Sequence, residues 1–487
     1  MTLRKRAAIV CGFLAALFLF ATCKKPTSSF LVIVHVTVID LTGALPAPDQ
    51  TVLIEKEKIV SLGPSQSISI PSGAKVVDGT GKFLMPGLAD MHVHVTGAGE
   101  PDGSRKFMLP LLVANGITTV RDMGGYLESL VPLQKEIEEG KLLGPRIVFA
   151  GPYLDGDPPA FQPAAIVANR DDAEAAVLWL KRRGVDFIKV QSNLSRDAYF
   201  AIADAAKQQN IPFVGHVPDR VTAWEAADAG QKSIEHLTGV LRACSSDEPG
   251  LMREQFRPPP VHDTPENSFS RSYFWRERLL LTYSEENAKK IIAKFAEKHT
   301  WQTPTLILLK GASDAAFLKV PAQEPRLKYI PASEQRLWDE YHRANTEHAM
   351  PKEPVLRSVM LEKSEEMVGA MQKGGVRILA GTDSPAYFVF PGSGLHEELE
   401  LLVKAGLTPM EALQSATRNA AEFLERLDSQ GTVAAGKNAD LVLLDANPLD
   451  DIRNTQKIRA VILRGKLLGR SSLDSLLANC EKFARAN

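Results

Sequence analysis

The sequence predicts an α/β fold, a (β/α)8 TIM barrel that carries a small β-sandwich domain. Three features indicate this fold. Short apolar segments typical of buried strands alternate with amphipathic helical segments through the middle of the chain. Both flanks are rich in β-branched residues separated by turn residues. Polar side chains that can carry chemistry follow several apolar segments, as in barrels whose strand ends form one mouth.

Eight buried parallel strands are predicted in the middle of the chain. The first begins after the turn signal Pro86-Gly87 and carries His92. The other seven are apolar runs of strand length, at 116–122, 145–151, 186–190, 212–217, 233–237, 303–308 and 377–383. Helical segments such as 171–183 and 196–209 separate them. A strand–helix unit repeated eight times predicts a (β/α)8 barrel over residues 85–429.

The two flanks have the texture of short strands. On the N-terminal side these are 31–40, 51–55 and 58–63, and on the C-terminal side 439–445 and 458–466. Two β-rich flanks around one middle predict a single small β-sandwich domain, built from residues 30–84 and 430–472.

Two long insertions interrupt the strand–helix pattern. One runs from about Cys244 to Tyr283, and the other from about Lys310 to Pro354. Both follow predicted strands, so both are expected on the active-site face of the barrel. Loops of this length are usually lids or binding loops.

The N-terminus predicts export. Arg4-Lys5-Arg6 precedes an apolar run, 7–21, that is too short to span a bilayer comfortably and ends at Cys23. We interpret residues 1–23 as a bacterial signal peptide of the lipoprotein kind, with Cys23 lipidated, although Thr22 departs from the residues usual at that position. An uncleaved N-terminal anchor is the alternative. Each interpretation places the body outside the cytoplasm, in the periplasm or on the outer surface, in contact with a membrane only through its anchor.

Composition excludes some classes of partner. The 487-residue chain has a formal charge of −1, which provides no electrostatic footprint for nucleic acid. Four cysteines do not make a disulfide framework in a chain of this length. Cys11 leaves with the signal peptide, and Cys244 and Cys480 are either paired, which an oxidising compartment permits, or free.

His92-Val93-His94 is the first candidate metal motif. On a strand, residues i and i+2 face the same way, so both imidazoles can reach one metal ion. A hydrogen-bonded core pair is the ordinary alternative. Further polar residues stand at the ends of four other predicted strands, namely Lys189, His216, His236 and Asp383. Each has an ordinary structural explanation, but together at one barrel mouth they predict a metal centre.

The sequence resembles the amidohydrolase superfamily over nearly the whole mature chain, and within it the imidazolonepropionase-like and Xaa-Pro-dipeptidase-like members. The segments that carry the resemblance are 86–94, 116–122, 186–190, 215–216, 235–236, 381–383, 405–413 and 436–442. Such a combination is specific for the superfamily and much less so for a substrate.

The resemblance implies a binuclear centre. His92, His94 and Asp383 would hold one divalent metal ion, and His216 and His236 the other. N-carboxylated Lys189 and a hydroxide would bridge the two ions, because a lysine ammonium has no lone pair to donate. Zinc suits this ligand set best, with Mn, Co and Fe as alternatives. Asp383 would act as the catalytic residue, taking a proton from the attacking hydroxide and delivering it to the leaving amine.

The expected activity is hydrolysis of an amide bond in a small-molecule substrate, either a small peptide or an N-acyl amino acid. A lactonase or esterase reaction on the same site is the close alternative, and a non-catalytic binding protein is the more distant one. Export weighs against a role in cytosolic histidine breakdown. Arg121, Tyr153 and His396 either contact substrate or make structural hydrogen bonds. Oligomeric state cannot be read from the sequence.

Overall fold

The structure is a computed structural model that describes residues 30–96, 103–256, 265–313, 324–347 and 349–487. The predicted signal peptide, 1–23, lies outside these residues. Among the helices described, none combines the length and apolar character needed to cross a bilayer.

Strands β1 to β17 are, in order, Phe30–Val38, Ala47–Glu55, Lys58–Pro64, Lys75–Asp78, Phe83–Pro86, Leu88–Val93, Ile117–Asp122, Arg146–Phe149, Tyr153–Asp155, Ala164–Ile166, Ile188–Val190, Phe213–Gly215, Ser233–Glu235, Trp301–Thr303, Leu441–Leu444, Ile458–Leu463 and Lys466–Gly469. Helices α1 to α16 are Leu109–Ala114, Leu127–Glu138, Arg170–Arg182, Arg196–Gln208, Ala223–Asp228, Val240–Ala243, Glu248–Gln255, Pro265–Leu281, Glu285–Lys298, Leu306–Ser313, Ala332–Thr346, Glu353–Lys373, Ser393–Lys404, Pro409–Ser415, Arg418–Phe423 and Arg470–Ala486. Short 3-10 or π-helical turns occupy Ser65–Ser67, Ser104–Met108, Pro325–Tyr329 and Ile452–Gln456.

Strands from both flanks join one mixed sheet. Its order is β17-β16-β15-β5-β1-β2-β3, and β4 pairs with β1 beside β5. The antiparallel pairing of β15 with β5 is the seam between the two ends of the chain, with Val442 opposite Met85. Alternate β-branched and leucine side chains of these strands bury one separate core. The joining of the two flanks is therefore as predicted, whereas the sandwich arrangement and the domain bounds stay predictions.

The middle of the chain forms a TIM-barrel-like α/β domain. It contains two parallel sheets, with strand orders β6-β7-β8 and β10-β9-β11-β12-β13-β14. The two sheets meet edge to edge where the Asp186 amide donates a hydrogen bond to the Phe149 carbonyl at 3.0 Å. Apolar side chains from both sheets, including Met91, Val148 and Val214, meet in one buried cluster. A larger core fills the space around them and includes many helix residues.

The predicted eighth strand, 377–383, forms no regular ladder. It contacts β14 through the Leu379 amide, which donates to Gln302 O at 2.9 Å, and β6 through the Asp383 amide, which donates to His92 O at 2.7 Å. Asp383 has a left-handed backbone, with φ 67°. That conformation ends the extended geometry at Asp383.

The predicted strand 303–308 is partly wrong. The strand ends at Thr303, and Leu306 begins α10. The Glu398 carboxylate accepts from the Ile307 amide at 2.7 Å and so satisfies the start of this helix. Periodicity alone cannot assign a short apolar run to a strand or a helix, because a fully buried strand and a fully buried helix both have apolar residues on every side.

The two insertions differ in their placement. Glu334, Leu337 and Trp338, from the second insertion, line the cavity described below. The described residues of the first insertion do not line it, and Arg276 of this insertion instead pairs with Glu353 at the start of α12. Cys244 and Cys480 are both buried and free, which excludes a disulfide between them.

Candidate metal centre and active site

A cavity of about 370 Å³ opens where the carboxyl ends of the barrel strands converge. All six residues predicted as metal ligands line it: His92, His94, Lys189, His216, His236 and Asp383. They come from the ends of β6, β11, β12 and β13 and from the 377–383 segment. The structure therefore brings the whole predicted set together.

His92, His94 and Asp383 form the tightest group. Asp383 Oδ1 lies 3.1 Å from His92 Nε2 and 3.0 Å from His94 Nε2. One ligand atom from each of the three residues lies within 4.8 Å of the others. Gly381 permits this approach, because a Cβ there would lie 2.9 Å from both the Cβ and the amide nitrogen of His92. This arrangement is compact enough for one ion.

His216 and His236 form a second group beside the first, with the His236 ring centroid 4.4 Å from that of His92. Their ring centroids are 5.0 Å apart and the rings are nearly perpendicular. His216 Nδ1 lies 2.8 Å from Ser192 Oγ, and His236 Nδ1 lies 2.6 Å from Thr305 Oγ1. These hydroxyls can accept from a protonated Nδ1, which leaves each Nε2 lone pair for a ligand.

Burial keeps most of these imidazoles neutral. It lowers the pKa of His92, lowers the pKa of His216 well below the usual value, and lowers the pKa of His236 to about 3. The pKa of Asp383 is held well below its usual range: burial opposes this shift, but His92 and His236 outweigh it. Neutral imidazole with ionised carboxylate is the state in which these groups bind metal.

Lys189 is the least ordinary of the six. Its side chain is 1% exposed, and it has no hydrogen bond or ion pair within the part of the chain described. Burial lowers the pKa of its amine to about 8. Gly215 leaves room for it, since a Cβ there would stand 3.1 Å from Lys189 Cδ and 2.2 Å from Val190 O. Burying a charged amine without a hydrogen-bond partner is unfavourable, so a buried lysine of this kind is expected to have a chemical function.

Behind the ligands lies a buried ion pair that sequence reasoning missed. Glu235 Oε2 accepts from His92 Nδ1 at 2.9 Å, and Arg121 Nη2 donates to both Glu235 oxygens at 2.9 and 2.8 Å. Strand alternation would place Glu235 and His236 on opposite faces. His236 has a left-handed backbone, with φ 57°, which lets both side chains reach the site. Only the adjacency of the two residues hinted at this role.

A second missed carboxylate, Asp90, ties two ligand segments together. It accepts from the His92 amide at 3.2 Å, from the Thr382 amide at 3.0 Å and from the Thr382 hydroxyl at 2.7 Å. Asp90 therefore fixes the backbone of His92 relative to that of Asp383. Its place in the middle of β6 gave no sequence signal for this function.

The three candidate substrate residues have different outcomes. Arg121 is fully buried behind the site, and His396 is buried between Thr455 Oγ1 at 2.9 Å and Asn115 O at 3.1 Å. Neither lines the cavity, so both make structural hydrogen bonds. Tyr153 does line the cavity, with its hydroxyl 3.3 Å from His94 Nδ1.

The donor set fits divalent metal ions. Neutral imidazoles and a carboxylate are nitrogen and oxygen ligands that suit zinc and its first-row neighbours. The inner nitrogens of His92 and His94 are already held, the latter 3.0 Å from Gly124 O, so their outer nitrogens face the cavity. Such secured orientation is typical of metal-binding histidines.

Comparison with known proteins gives the family. The pattern of the Amidohydrolase family matches residues 83–468, and the chain belongs to that family. It is a hydrolase acting on carbon–nitrogen bonds, in a family that generally uses divalent metals.

Two curated relatives and two solved structures illustrate the similarity. Ochratoxinase from Aspergillus niger is 24% identical over 439 residues, covering 78% of this chain and 73% of that protein. Imidazolonepropionase from Fusobacterium nucleatum is 20% identical over 405 residues, covering 81% and 84%. Bottromycin amidohydrolase superposes with a TM-score of 0.74 at 23% identity, covering 94% of this chain and 91% of that one. A prolidase-like protein from Bifidobacterium longum gives 0.64 at 24% identity, covering 93% and 100%. The solved structures support the barrel-like fold.

Proposed function

We propose that this protein is a binuclear metal-dependent hydrolase, set at the mouth of a closed (β/α)8 barrel, that cleaves an amide bond of a small peptide or N-acyl amino acid. One observation carries the proposal: six residues from four strands and the 377–383 segment, all of types that can hold metal, line one cavity of about 370 Å³. Ochratoxinase and the prolidase-like and Xaa-Pro dipeptidase structures are consistent with amide cleavage.

Asp383 is proposed to move the proton. Two bound divalent ions, with zinc the best match, would supply a water of lowered pKa and an electrophile for the substrate carbonyl. Asp383 is ionised and faces the cavity, so it can accept a proton from the attacking water. The same carboxyl can then return the proton to the departing amine nitrogen, which must be protonated to leave.

Tyr153 is proposed to donate a hydrogen bond to the substrate carbonyl. His94 Nδ1 lies 3.0 Å from Gly124 O, and a carbonyl oxygen can only accept, so the Nδ1 proton points there. A protonated His94 Nδ1 cannot accept a hydrogen bond from the Tyr153 hydroxyl, so that hydroxyl proton remains available to a substrate. Burial raises the pKa of Tyr153 well above its usual value, which keeps that proton in place.

Lys189 is proposed to be N-carboxylated. A depressed pKa leaves a useful fraction of the amine neutral near pH 8, and only the neutral amine has a lone pair to attack carbon dioxide. The carbon–nitrogen bond forms as one proton is released, which gives an anionic carbamate. That anion would supply two oxygen ligands for metal in the cavity that His92, His216, His236 and Asp383 also line.

A substrate screen tests the proposed function. Metal-loaded protein and chelator-treated protein would be assayed against a library of dipeptides, N-acyl amino acids, lactones and esters. We expect amides to be cleaved by the loaded protein only. Turnover restricted to lactones or esters would contradict the proposed bond type.

We also propose that the protein acts outside the cytoplasm after export through residues 1–23, anchored by lipid on Cys23. The basic segment, the short apolar run and the cysteine support this. Cell fractionation with labelled fatty acid tests it. A cytosolic, unlabelled protein would contradict it.

A further inference from the structure

The helix Ala332–Thr346 covers one side of the cavity, and we name it the rim helix. Three of its residues, Glu334, Leu337 and Trp338, line the cavity. With Tyr341, their spacing is i, i+3, i+4 and i+7, which places all four on one helical face. One face of the rim helix is thus turned toward the active site.

Aromatic contacts fix the rim helix to the segment that follows Asp383. Trp338 is 1% exposed, and its ring centroid lies 5.2 Å from Phe388 and 5.4 Å from Phe390. Tyr341 stacks on Tyr387 with centroids 3.7 Å apart and an interplanar angle of 5°. Ring contacts of this kind, buried at Trp338 and partly exposed at Tyr341, help to set the position of a helix. Glu334, one turn before Trp338, is therefore held at a defined place in the wall.

Glu334 has no ion-pair partner within 4 Å among the described residues. It is half-buried, and it makes no hydrogen bond or ion pair with another residue in the ranges the structure describes. Burial raises the pKa of its carboxyl above the usual value. Desolvating a carboxylate without a partner is unfavourable, and a cation that enters the cavity would remove that penalty.

The rest of the wall favours the same kind of ligand. Among the described lining residues there is no arginine, and the one lysine is Lys189, which belongs to the metal centre. The described part of the wall therefore offers no spare cation for a substrate carboxylate. It does offer the aromatic rings of Tyr126, Phe161, Trp338 and Tyr387, which suit an apolar group and the face of a cation.

We propose that Glu334 binds a cationic amine on the acyl side of the substrate, so that the enzyme prefers small peptides with a free N-terminal ammonium and a bulky apolar side chain over N-acyl amino acids. This inference rests on the proposed function and narrows its substrate class. Glu334 also stands in the first turn of the rim helix, where an acidic residue is locally favourable. A purely structural role of that kind would not distinguish an amine from its acetylated form.

Paired chromogenic amides test the inference. The pairs are Phe-p-nitroanilide, Gly-Phe-p-nitroanilide and Gly-Gly-Phe-p-nitroanilide, each with its N-acetyl counterpart. We expect at least one free-amine substrate to have a kcat/KM about tenfold above its acetylated partner, as one charge pair at a partly exposed site supplies. Glu334→Gln should abolish that ratio, mainly by raising KM for the free-amine substrate. Glu340→Gln, an exposed position on the same helix, should preserve the ratio.

A binding measurement separates failure of this inference from failure of the proposed function. The ligand is (2-phenylethyl)trimethylammonium, whose quaternary nitrogen has no lone pair for a metal. Calorimetry on metal-loaded protein should show binding that weakens about tenfold in Glu334→Gln and is unchanged in Glu340→Gln. If no amide is hydrolysed but this pattern holds, the proposed function fails and the cation site stands. Equal affinities in wild type and Glu334→Gln, or an unchanged amine-to-acetyl ratio, overturn the inference.

Discussion

Glu235→Gln removes one buried charge and changes little else, so its consequences can be worked out from the structure. The Glu235 carboxylate is fully buried between Arg121 Nη2, at 2.8 and 2.9 Å, and His92 Nδ1, at 2.9 Å. Arg121 is itself fully buried, so the substitution leaves its guanidinium without a counter-charge. Breaking such a pair from one side costs about 3–5 kcal/mol. We expect the unfolding free energy of the metal-free protein to fall by that amount.

The same substitution should weaken metal binding. Glutamine can donate as well as accept, so it no longer enforces the His92 tautomer whose Nε2 lone pair faces the cavity. Loss of a hydrogen-bond partner behind a metal ligand typically lowers metal affinity 10- to 100-fold. Urea denaturation with chelator present measures the stability, and competition with a chromophoric chelator measures the affinity.

The double variant Arg121→Met/Glu235→Gln is the matched control. It removes both buried charges, so it should recover most of the lost stability while metal affinity stays low. A stability loss in Glu235→Gln of less than about 1 kcal/mol, together with wild-type metal affinity, would refute the reasoning about this ion pair.

Three further predictions concern single residues. Asp383→Asn should retain the fold and lower kcat by about 10²–10⁴-fold, and near-normal turnover would contradict its role in proton transfer. Lys189→Ala should lower metal content, with partial rescue by acetate; two metal equivalents retained without acetate would argue against a carbamate. Burial lowers the pKa of His396 to about 4, so the unfolded chain takes up this proton first as pH falls. Stability from this group is therefore lost between pH 6.5 and 4, at up to about 1.4 kcal/mol per pH unit. In His396→Gln, urea midpoints over that range should depend less on pH, and an identical slope would contradict the assignment.

The site was predictable because its residues stand at strand ends. His92-x-His94 on one strand, with His216, His236 and Asp383 after others, needs only the rule that parallel strand ends converge. The structure places all of them around one cavity. The joining of both flanks into one sheet was predictable for a similar reason, since unpaired strand edges at both ends need partners.

What the sequence could not provide depends on local backbone geometry. The left-handed conformations of His236 and Asp383 turn side chains away from the direction that strand alternation predicts, which concealed Glu235. The apolar run after Thr303 is a helix because a distant carboxylate, Glu398, satisfies its first amides. Such long-range contacts leave no periodic signal in the chain.

The C-terminal helix Arg470–Ala486 was not predicted. It follows the last strand of the mixed sheet and packs its buried face, including Leu473 and Cys480, into the larger core. The predicted β-domain extended to residue 472 and left the following segment unassigned. The cavity wall contributed by the rim helix was likewise predicted only as a long insertion, because its aromatic partners lie on the segment after Asp383.

Metal stoichiometry tests the central claim most directly. Chelator-treated protein would be titrated with Zn²⁺ in bicarbonate buffer by calorimetry, while hydrolysis of an amide found in the screen is followed on the same samples. We predict two equivalents bound per chain, with amide hydrolysis rising as the second equivalent is filled. Full amide hydrolysis with no bound metal, or with one equivalent and no further uptake, would contradict the binuclear account.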